Sequence, residues 1–293
     1  MSKGPVLRIS RKISIIVFLV GLVSCTARQS ARTCTVTYVA NDGFLVKTSH
    51  HKVLIDALFG GIKGDWCDQP SDSVANEMIT GIAPFDHIDV VLVTHAHVDH
   101  FNSRMTIEFL QHNPKAMLVC PGQADSALRL DPAYANVSSR IVSLKPGKQY
   151  DTSFTVGEIG IRGMRFDHSS YYEPDPVTER PRNIHAGVEN IGYLVKMDGF
   201  TIFHSGDDTP ENVAQYAAYN IGKDSIDIAF LDRSFYTAPG LSLIGKYIPA
   251  KNVVLMHIAT GSDNFFKSLK SRPGEVPQIM VFNSLMTKKT INK

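Results

Sequence analysis

The sequence contains few cysteines, 4 among 293 residues, at positions 25, 34, 67 and 120. Three of them follow position 25, so at most one disulfide can form among these three, and their spacing matches no cysteine-based zinc site. An excess of one charge is also missing, since 30 Lys and Arg residues stand against 28 Asp and Glu residues. We therefore expect no nucleic-acid partner, because such proteins usually carry a strongly basic surface.

No apolar run reaches the roughly 20 residues that a membrane-spanning helix needs. Residues 13–23 are apolar and follow a basic N-terminal segment, which is typical of a signal peptide. The sequence then continues with Ser24-Cys25, which resembles the end of a bacterial lipobox. We predict a lipoprotein-type signal peptide at residues 1–25, a lipid on Cys25, a tether at 26–33 and a single domain at 34–293. An ordinary signal peptide or an uncleaved anchor is the alternative.

Lipidation at Cys25 would hold the domain on a membrane surface outside the cytoplasm, since two or more acyl chains anchor a protein firmly. The predicted location is therefore the periplasmic or extracellular face of a bacterial membrane. Behind this segment, strand-like and helix-like patterns alternate, and each half of the domain begins with strands. No linker separates the halves. We predict an α/β fold in which helices cover the outside of two sheets.

The most informative segment is the stretch from Thr94 to His100, in which His95, His97, Asp99 and His100 lie within six positions. It follows the apolar, β-branched residues 88–93, which predict a buried strand. At the end of an extended segment alternate side chains point the same way, so His95 and His97 can reach one metal ion. Asp99 and His100, after the chain turns, can reach a second ion.

Further metal-binding side chains close later apolar runs. Because strand ends on one side of a sandwich gather in space, we expect His168, Asp207 and His257 to join the cluster. Asp207 follows Gly206 and is the natural bridge between two cations. His185 is the alternative to His168, which is favoured because it directly ends a predicted strand. His204 is expected either to orient a ligand or to lie in the core.

This order of residues resembles that of the metallo-β-lactamase superfamily, over about residues 36–258. The resemblance implies a four-layer αββα sandwich of two mixed sheets with helices on both outer faces. It also implies that Asp56 braces the ligand loop, that Asp207 bridges, and that two triads each bind one of two divalent ions: His95, His97 and His168 the first, and Asp99, His100 and His257 the second. Residues 193–207 resemble the branch that includes the L-ascorbate 6-phosphate lactonase and the N-acylphosphatidylethanolamine phospholipase D.

Nitrogen and carboxylate ligands suit Zn²⁺, which we expect, and also Mn²⁺ or Fe²⁺. Two such ions can activate a water for hydrolysis, with Asp207 and Asp99 as the catalytic carboxylates and Asp99 able to relay a proton. The prediction is an exported metal-dependent hydrolase that cleaves an ester, lactone or phosphodiester bond of a small molecule or lipid. The alternatives are an iron-dependent redox relative and a non-catalytic metal-binding relative. The sequence does not define the oligomeric state.

The substrate is expected to meet an insertion rich in Pro, Arg and Tyr at residues 169–182. Within or beside it, Tyr171, Arg180, Arg182 and His185 are candidate substrate contacts, because guanidinium groups and aromatic rings can bind an anionic or sugar-like group. A solvated loop is the alternative interpretation of the same residues.

Overall fold

Two β-sheets of seven strands each organise the chain. The structure, a computed structural model, describes residues 1, 4, 32–258, 261–262 and 278–293. The described residues from Arg32 to Lys293 belong to one compact unit. The predicted signal peptide and Cys25 lie outside the described residues. Thr33, at the end of the predicted tether, already pairs with Asn292 as the first residue of a strand.

The first sheet contains the N-terminal strands and the last strand of the chain. Its members are β1 (Thr33–Ala40), β2 (Gly43–Lys47), β3 (Lys52–Ile55), β4 (Val90–Leu92), β5 (Met117–Pro121), β6 (Ile141–Leu144) and β16 (Lys288–Asn292). Their spatial order is β16-β1-β2-β3-β4-β5-β6. The pairs from β16 to β3 are antiparallel, and those from β3 to β6 are parallel.

The second sheet repeats this plan. Its members are β7 (Asp151–Val156), β8 (Ile159–Phe166), β11 (Asn190–Met197), β12 (Phe200–His204), β13 (Ile226–Asp232), β14 (Ala250–Met256) and β15 (Gln278–Met280). The order is β15-β14-β13-β12-β11-β8-β7, with antiparallel pairs from β7 to β12 and parallel pairs from β12 to β15. A separate hairpin of β9 (Tyr172–Pro174) and β10 (Pro181–Asn183) lies inside the predicted insertion.

Helices cover the outer face of each sheet. The described helices are α1 (Asp72–Thr80), α2 (Ser103–His112), α3 (Gly122–Leu128), α4 (Tyr134–Val137), α5 (Val213–Tyr219) and α6 (Ala238–Tyr247), with 3₁₀ turns at Ser138–Arg140, Ile221–Lys223 and Arg233–Phe235. Among the described residues no helix is both long and apolar enough to cross a bilayer.

Three apolar clusters define the layers. One fills the space between the sheets, where the rings of Phe44 and Phe230 lie 4.6 Å apart. A second joins the first sheet to α1–α4, and a third joins the second sheet to α5 and α6. Because alternate strand residues face opposite sides, each sheet contributes to the middle cluster and to one outer cluster. The predicted αββα sandwich is therefore confirmed.

Some predicted elements differ from the structure. The sequence pattern of residues 154–159 predicts one strand, but β7 ends at Val156 and Ile159 already begins β8. The Gly-, Asp- and Pro-rich residues 60–73 predict a loop, which gives way at Asp72 to α1. The insertion at 169–182, for which a solvated loop is the alternative interpretation, contains β9 and the start of β10. The sequence also predicts a helix near residues 264–270, which lie outside the described residues.

Candidate metal centre

The ligand loop, residues 94–100, leaves the carboxyl end of β4 and is held by Asp56. The carboxylate of Asp56 accepts the backbone N–H of Thr94 at 2.7 Å and the Thr94 hydroxyl at 2.5 Å. It also accepts Nδ1–H of His100 at 2.9 Å. Asp56 itself has a left-handed backbone, with φ of 43°. One buried carboxylate thus fixes both ends of the loop, as the sequence resemblance implied.

Four side chains converge on what we call the first cluster: His95, His97, His168 and Asp207. Their candidate ligand atoms all lie within 4.8 Å of one another. Nε2 of His168 is 3.3 Å from Nε2 of His95 and 3.3 Å from Oδ2 of Asp207. Two ligand atoms about 2.1 Å from one metal at a tetrahedral angle lie about 3.4 Å apart. The spacing of the first cluster therefore fits a single cation.

A second cluster, of Asp42, His100, Asp207 and His257, shares Asp207 with the first. Nε2 of His100 is 3.2 Å from Oδ1 of Asp207 and 3.4 Å from Oδ2 of Asp42. Asp99 borders this cluster, with Oδ2 3.5 Å from Nε2 of His257. The carboxylate of Asp207 thus faces both clusters: Oδ1 is directed toward His100, and Oδ2 lies between His168 of the first cluster and His257 of the second, 3.6 Å from Nε2 of His257.

Hydrogen bonds on the far side of each ring decide which nitrogen faces the centre. Thr94 gives its hydroxyl proton to Asp56, so its oxygen accepts Nδ1–H of His95 at 3.0 Å. Nδ1 of His168 lies 3.0 Å from the carbonyl of Ser169, and Nδ1 of His100 bonds to Asp56. In all three rings Nδ1 is engaged on the far side, so Nε2 is the nitrogen that faces the clusters and can bind a metal once it carries no proton.

The clusters also contain buried polar atoms without a hydrogen-bond partner. They are both carboxylate oxygens of Asp42, Nε2 of His100 and Oδ1 of Asp207. Buried polar atoms are nearly always paired, and leaving one unpaired costs roughly 1–3 kcal/mol. Converging lone pairs and carboxylates of this kind are the donor set of a divalent cation, so the residues present fit the predicted metals.

Electrostatics differ between the two clusters. Burial, reinforced by the neighbouring His168, lowers the pKa of His97 to about 4, so this ring is neutral at pH 7. Burial alone would lower the pKa of His257, but the carboxylates of Asp207 and Asp42 raise it to about 10. The pKa of His100 is likewise raised, because Asp207 and Asp99 outweigh its burial.

We therefore expect the two positions to respond differently to pH. A metal that enters the second cluster would have to displace protons from His100 and His257, whereas His97 in the first cluster is already neutral. As pH falls below the raised pKa values, affinity at the second position should drop about tenfold per unit for each proton displaced. Calorimetric metal titrations between pH 6 and 8, in buffers of different ionisation enthalpy, measure this. Equal proton release by both equivalents would contradict it.

Left-handed backbone conformations direct two of the candidate ligands toward the clusters. His257 follows β14 with φ of 59°, a conformation that non-glycine residues rarely adopt. Gly206 precedes Asp207 with φ of 60°, and a Cβ there would lie 2.1 Å from Oδ1 of Asn190. Glycine at 206 is thus required by both conformation and space, and it lets Asp207 enter the centre.

The remaining predicted residues surround the centre. His185 lies beside the first cluster, with its ring centroid 4.5 Å from that of His168. Nδ1 of His185 is 2.9 Å from the Ser169 carbonyl oxygen, which also lies near Nδ1 of His168. Tyr171 stacks on His185 at 5.7 Å. Arg182 pairs with Asp175 at 3.8 Å. Arg180 is exposed. His185 and Tyr171 therefore border the first cluster, and none of the four residues belongs to either cluster.

His204 is buried and connects two parts of the centre. Its Nδ1 accepts the N–H of Gly206 at 3.2 Å, and its Nε2 donates to the carbonyl of Asp42 at 3.1 Å. Burial lowers its pKa, which keeps the ring neutral for this pair of bonds. The ring therefore positions Asp42 and the Gly206-Asp207 turn.

Sequence reasoning missed Asp42. Its Asn-Asp-Gly context indicates only a hairpin turn between β1 and β2. Nothing local indicates that the tip of this turn is buried at the carboxyl end of β4. The signal that could have found it is the pairing of β2 with both β1 and β3, because Asp56 directly follows β3.

Comparison with known proteins supports the same family. A model described as a beta-lactamase superfamily domain matches residues 51–258, which include all seven predicted ligands. A UPF0173 metal-dependent hydrolase of Polynucleobacter asymbioticus is 29% identical over 196 residues, or 64% of this chain and 61% of that protein. Another, of Bacillus licheniformis, is 26% identical over 230 residues, or 77% and 85%. The chain thus spans less than two thirds of the first relative and most of the second.

The fold has solved counterparts as well. Igni18, a metallo hydrolase of Ignicoccus hospitalis, superposes with a TM-score of 0.56 at 18% identity, covering 88% of this chain and 98% of that one. The family model covers more than half of the sequence, and the αββα sandwich agrees with it. The chain therefore belongs to the metallo-β-lactamase superfamily.

Proposed function

We propose that this chain is a hydrolase that uses two divalent metal ions to cleave an ester, lactone or phosphodiester bond. The observation that carries the proposal is Asp207, whose Oδ1 faces His100 and whose Oδ2 faces His168. A carboxylate turned toward two donor clusters at once is the arrangement expected of a bridge between two cations. The names of the UPF0173 relatives agree with a metal-dependent hydrolase.

The chain's own residues would hold the two ions and the reacting groups. His95, His97 and His168 would bind the first ion, and His100 and His257 the second, with Asp207 shared. Such ions, when bound, lower the pKa of water and polarise the bond to be cleaved. Asp99 borders the second cluster, and Nδ2 of Asn41 donates to its Oδ2 at 3.1 Å, which orients this carboxylate to accept and pass on a proton.

The border of the centre favours a substrate with an apolar part. Val98 lies in the ligand loop between His97 and Asp99 and is exposed, as are Ile184 beside His185 and Tyr171 stacked on it. Exposed apolar side chains next to a polar cluster are typical of a binding surface. A small ester or lactone with an apolar chain, or a lipid, would match both the clusters and this border.

A panel of lactones, phosphodiesters and phospholipids, assayed with Zn²⁺ and with Mn²⁺, tests the proposal. We expect turnover of at least one class that requires metal and is lost after chelation. Metal analysis of protein purified without added zinc runs in parallel. Stoichiometric iron together with oxygen consumption, and no hydrolysis, would identify the iron-dependent redox alternative. Bound metal with no turnover of any kind would identify a binding relative.

We also propose that the protein is exported and anchored through a lipid on Cys25, on the basis of its signal-like N-terminal sequence. The variant Cys25→Ala is expected to move the protein from the membrane fraction to the soluble fraction. Fractionation with metabolic labelling by a radioactive fatty acid measures this. Cys34→Ala, which changes a cysteine buried in β1, is the matched control and should remain membrane-bound. Membrane association of both variants would count against the lipid.

A further inference from the structure

The turn between β1 and β2 carries a carboxylate in an unusual place. Residues 41–42 form the tip of this hairpin, and hairpin tips normally lie in solvent. Here the side chain of Asp42 is wholly buried. It points toward the imidazoles of the second cluster, with Oδ2 3.4 Å from Nε2 of His100 and 3.9 Å from Nε2 of His257. A carboxylate that could have remained in water has been taken into the protein interior.

Neither oxygen of Asp42 has a hydrogen-bond partner among the described residues. A buried carboxylate normally accepts two or more hydrogen bonds, because otherwise its loss of hydration is uncompensated. A cation placed between Asp42, His100 and His257 would supply the missing partner for both oxygens.

The backbone holds Asp42 in this position independently of its side chain. Nε2 of His204 donates to the Asp42 carbonyl, and Nδ2 of Asn41 donates to the Asp99 carboxylate. Asn41 has a left-handed φ of 49°. A Cβ on Gly43 would lie 2.8 Å from the carbonyl oxygen of Ala40 and 2.9 Å from that of Asp56, so the chain passes too close for any side chain there. The turn is therefore built to present the carboxylate inward.

We propose that Asp42 is an additional ligand of the second metal ion and that it biases this position toward Mn²⁺ or Fe²⁺. The proposal rests on the proposed two-metal function. With Asp42 the second position has two imidazoles and up to three carboxylates, whereas the first has three imidazoles and one shared carboxylate. Zn²⁺ prefers about four ligands and nitrogen or sulfur donors, while oxygen-rich sites with more ligands suit Mn²⁺ and Fe²⁺.

The variants Asp42→Asn and Asp42→Ala test the proposal through metal binding rather than turnover. Chelated protein is titrated with Mn²⁺ and, separately, with Zn²⁺, and bound metal is measured by elemental analysis and competition with a chromophoric chelator. We expect wild-type protein to bind two equivalents. In both variants the first equivalent should be retained, and the affinity for the second should fall by about 10–100-fold or more, with a larger loss for Mn²⁺ than for Zn²⁺.

Asp125→Asn is the matched control, because Asp125 is also a buried carboxylate but is bonded to Arg129 and Tyr134 away from the clusters. It should bind both equivalents as wild type does. Two equivalents with unchanged affinity in the Asp42 variants would overturn the role of Asp42 and leave the two-metal function intact. A wild-type protein that takes up no second metal would overturn both.

A second measurement covers the case in which the variants do not fold. A crystal structure of manganese-loaded wild-type protein, with anomalous diffraction at the manganese edge, locates the ions directly. We expect an oxygen of Asp42 within about 2.2 Å of the second ion, the usual length of a carboxylate–metal bond. An Asp42 carboxylate that contacts no ion in a structure holding both would overturn the proposal.

Discussion

Replacing Asp207 by alanine is expected to abolish turnover and to remove the second metal ion. Asp207 is the one carboxylate that both clusters contain, so its loss weakens both positions at once. It is also a leading source of the negative potential at His100 and His257. With several kcal/mol of electrostatic stabilisation lost, hydrolysis should fall by at least about 10³-fold. Activity on the best substrate and elemental analysis of the purified variant measure the two effects.

Asp227→Ala provides the control for this variant. Asp227 is equally buried, but it pairs with Lys251 and Lys293 at the far end of its strand. Its loss should lower stability while leaving metal content and turnover per folded molecule unchanged. An Asp207→Ala protein that keeps two equivalents of metal and near wild-type activity would remove Asp207 from the site.

The second large effect is expected for Asp56→Ala, although the side chain of Asp56 belongs to neither cluster. Three donors would lose their acceptor: the N–H and hydroxyl of Thr94 and Nδ1–H of His100. Each buried donor left unpaired costs about 1–3 kcal/mol, so the free energy of unfolding should fall by roughly 3 kcal/mol or more. The freed His100 ring should also bind its ion about 10–100-fold more weakly.

These two consequences are separated by measuring each one alone. Denaturant unfolding in the presence of a chelator reports stability without metal, and titration of the folded variant reports metal affinity. Asp125→Ala, which removes another hydrogen-bonded buried carboxylate, should lower stability but leave metal affinity unchanged. An Asp56→Ala protein with wild-type affinity for both equivalents would show that Asp56 does not position His100.

Much of the centre could be predicted because its candidate ligands stand at or just after the ends of apolar runs. The segment with His95, His97 and His100 follows β4, and His168, Asp207 and His257 follow β8, β12 and β14. Strands that run in the same direction bring their carboxyl ends to one edge of a sheet. The family resemblance, and the αββα sandwich it implied, are confirmed by the family model and the fold. The assignment of each ligand to an ion stays a prediction.

The parts that sequence reasoning missed depend on contacts between distant segments. Asp42 is an ordinary turn residue until the pairing of β1 with β2 places it against His100. The helix α1 does carry local signals, since the side chain of Ser71 caps its first turn and Gly81 ends it in a left-handed conformation. They are hard to recognise in the sequence because the residues just before α1 are rich in Gly, Asp and Pro, a composition that predicts a loop.

The origin of the ligands has a mechanical consequence for the whole domain. Asp42 and the ligand loop belong to the first sheet, whereas His168, Asp207 and His257 follow strands of the second. The three cysteines of the described region are unpaired, so no disulfide there ties the sheets together. Each bound ion would act as a removable cross-link between the two halves of the sandwich, so that metal supply would set how strongly the halves adhere and how readily they separate on heating.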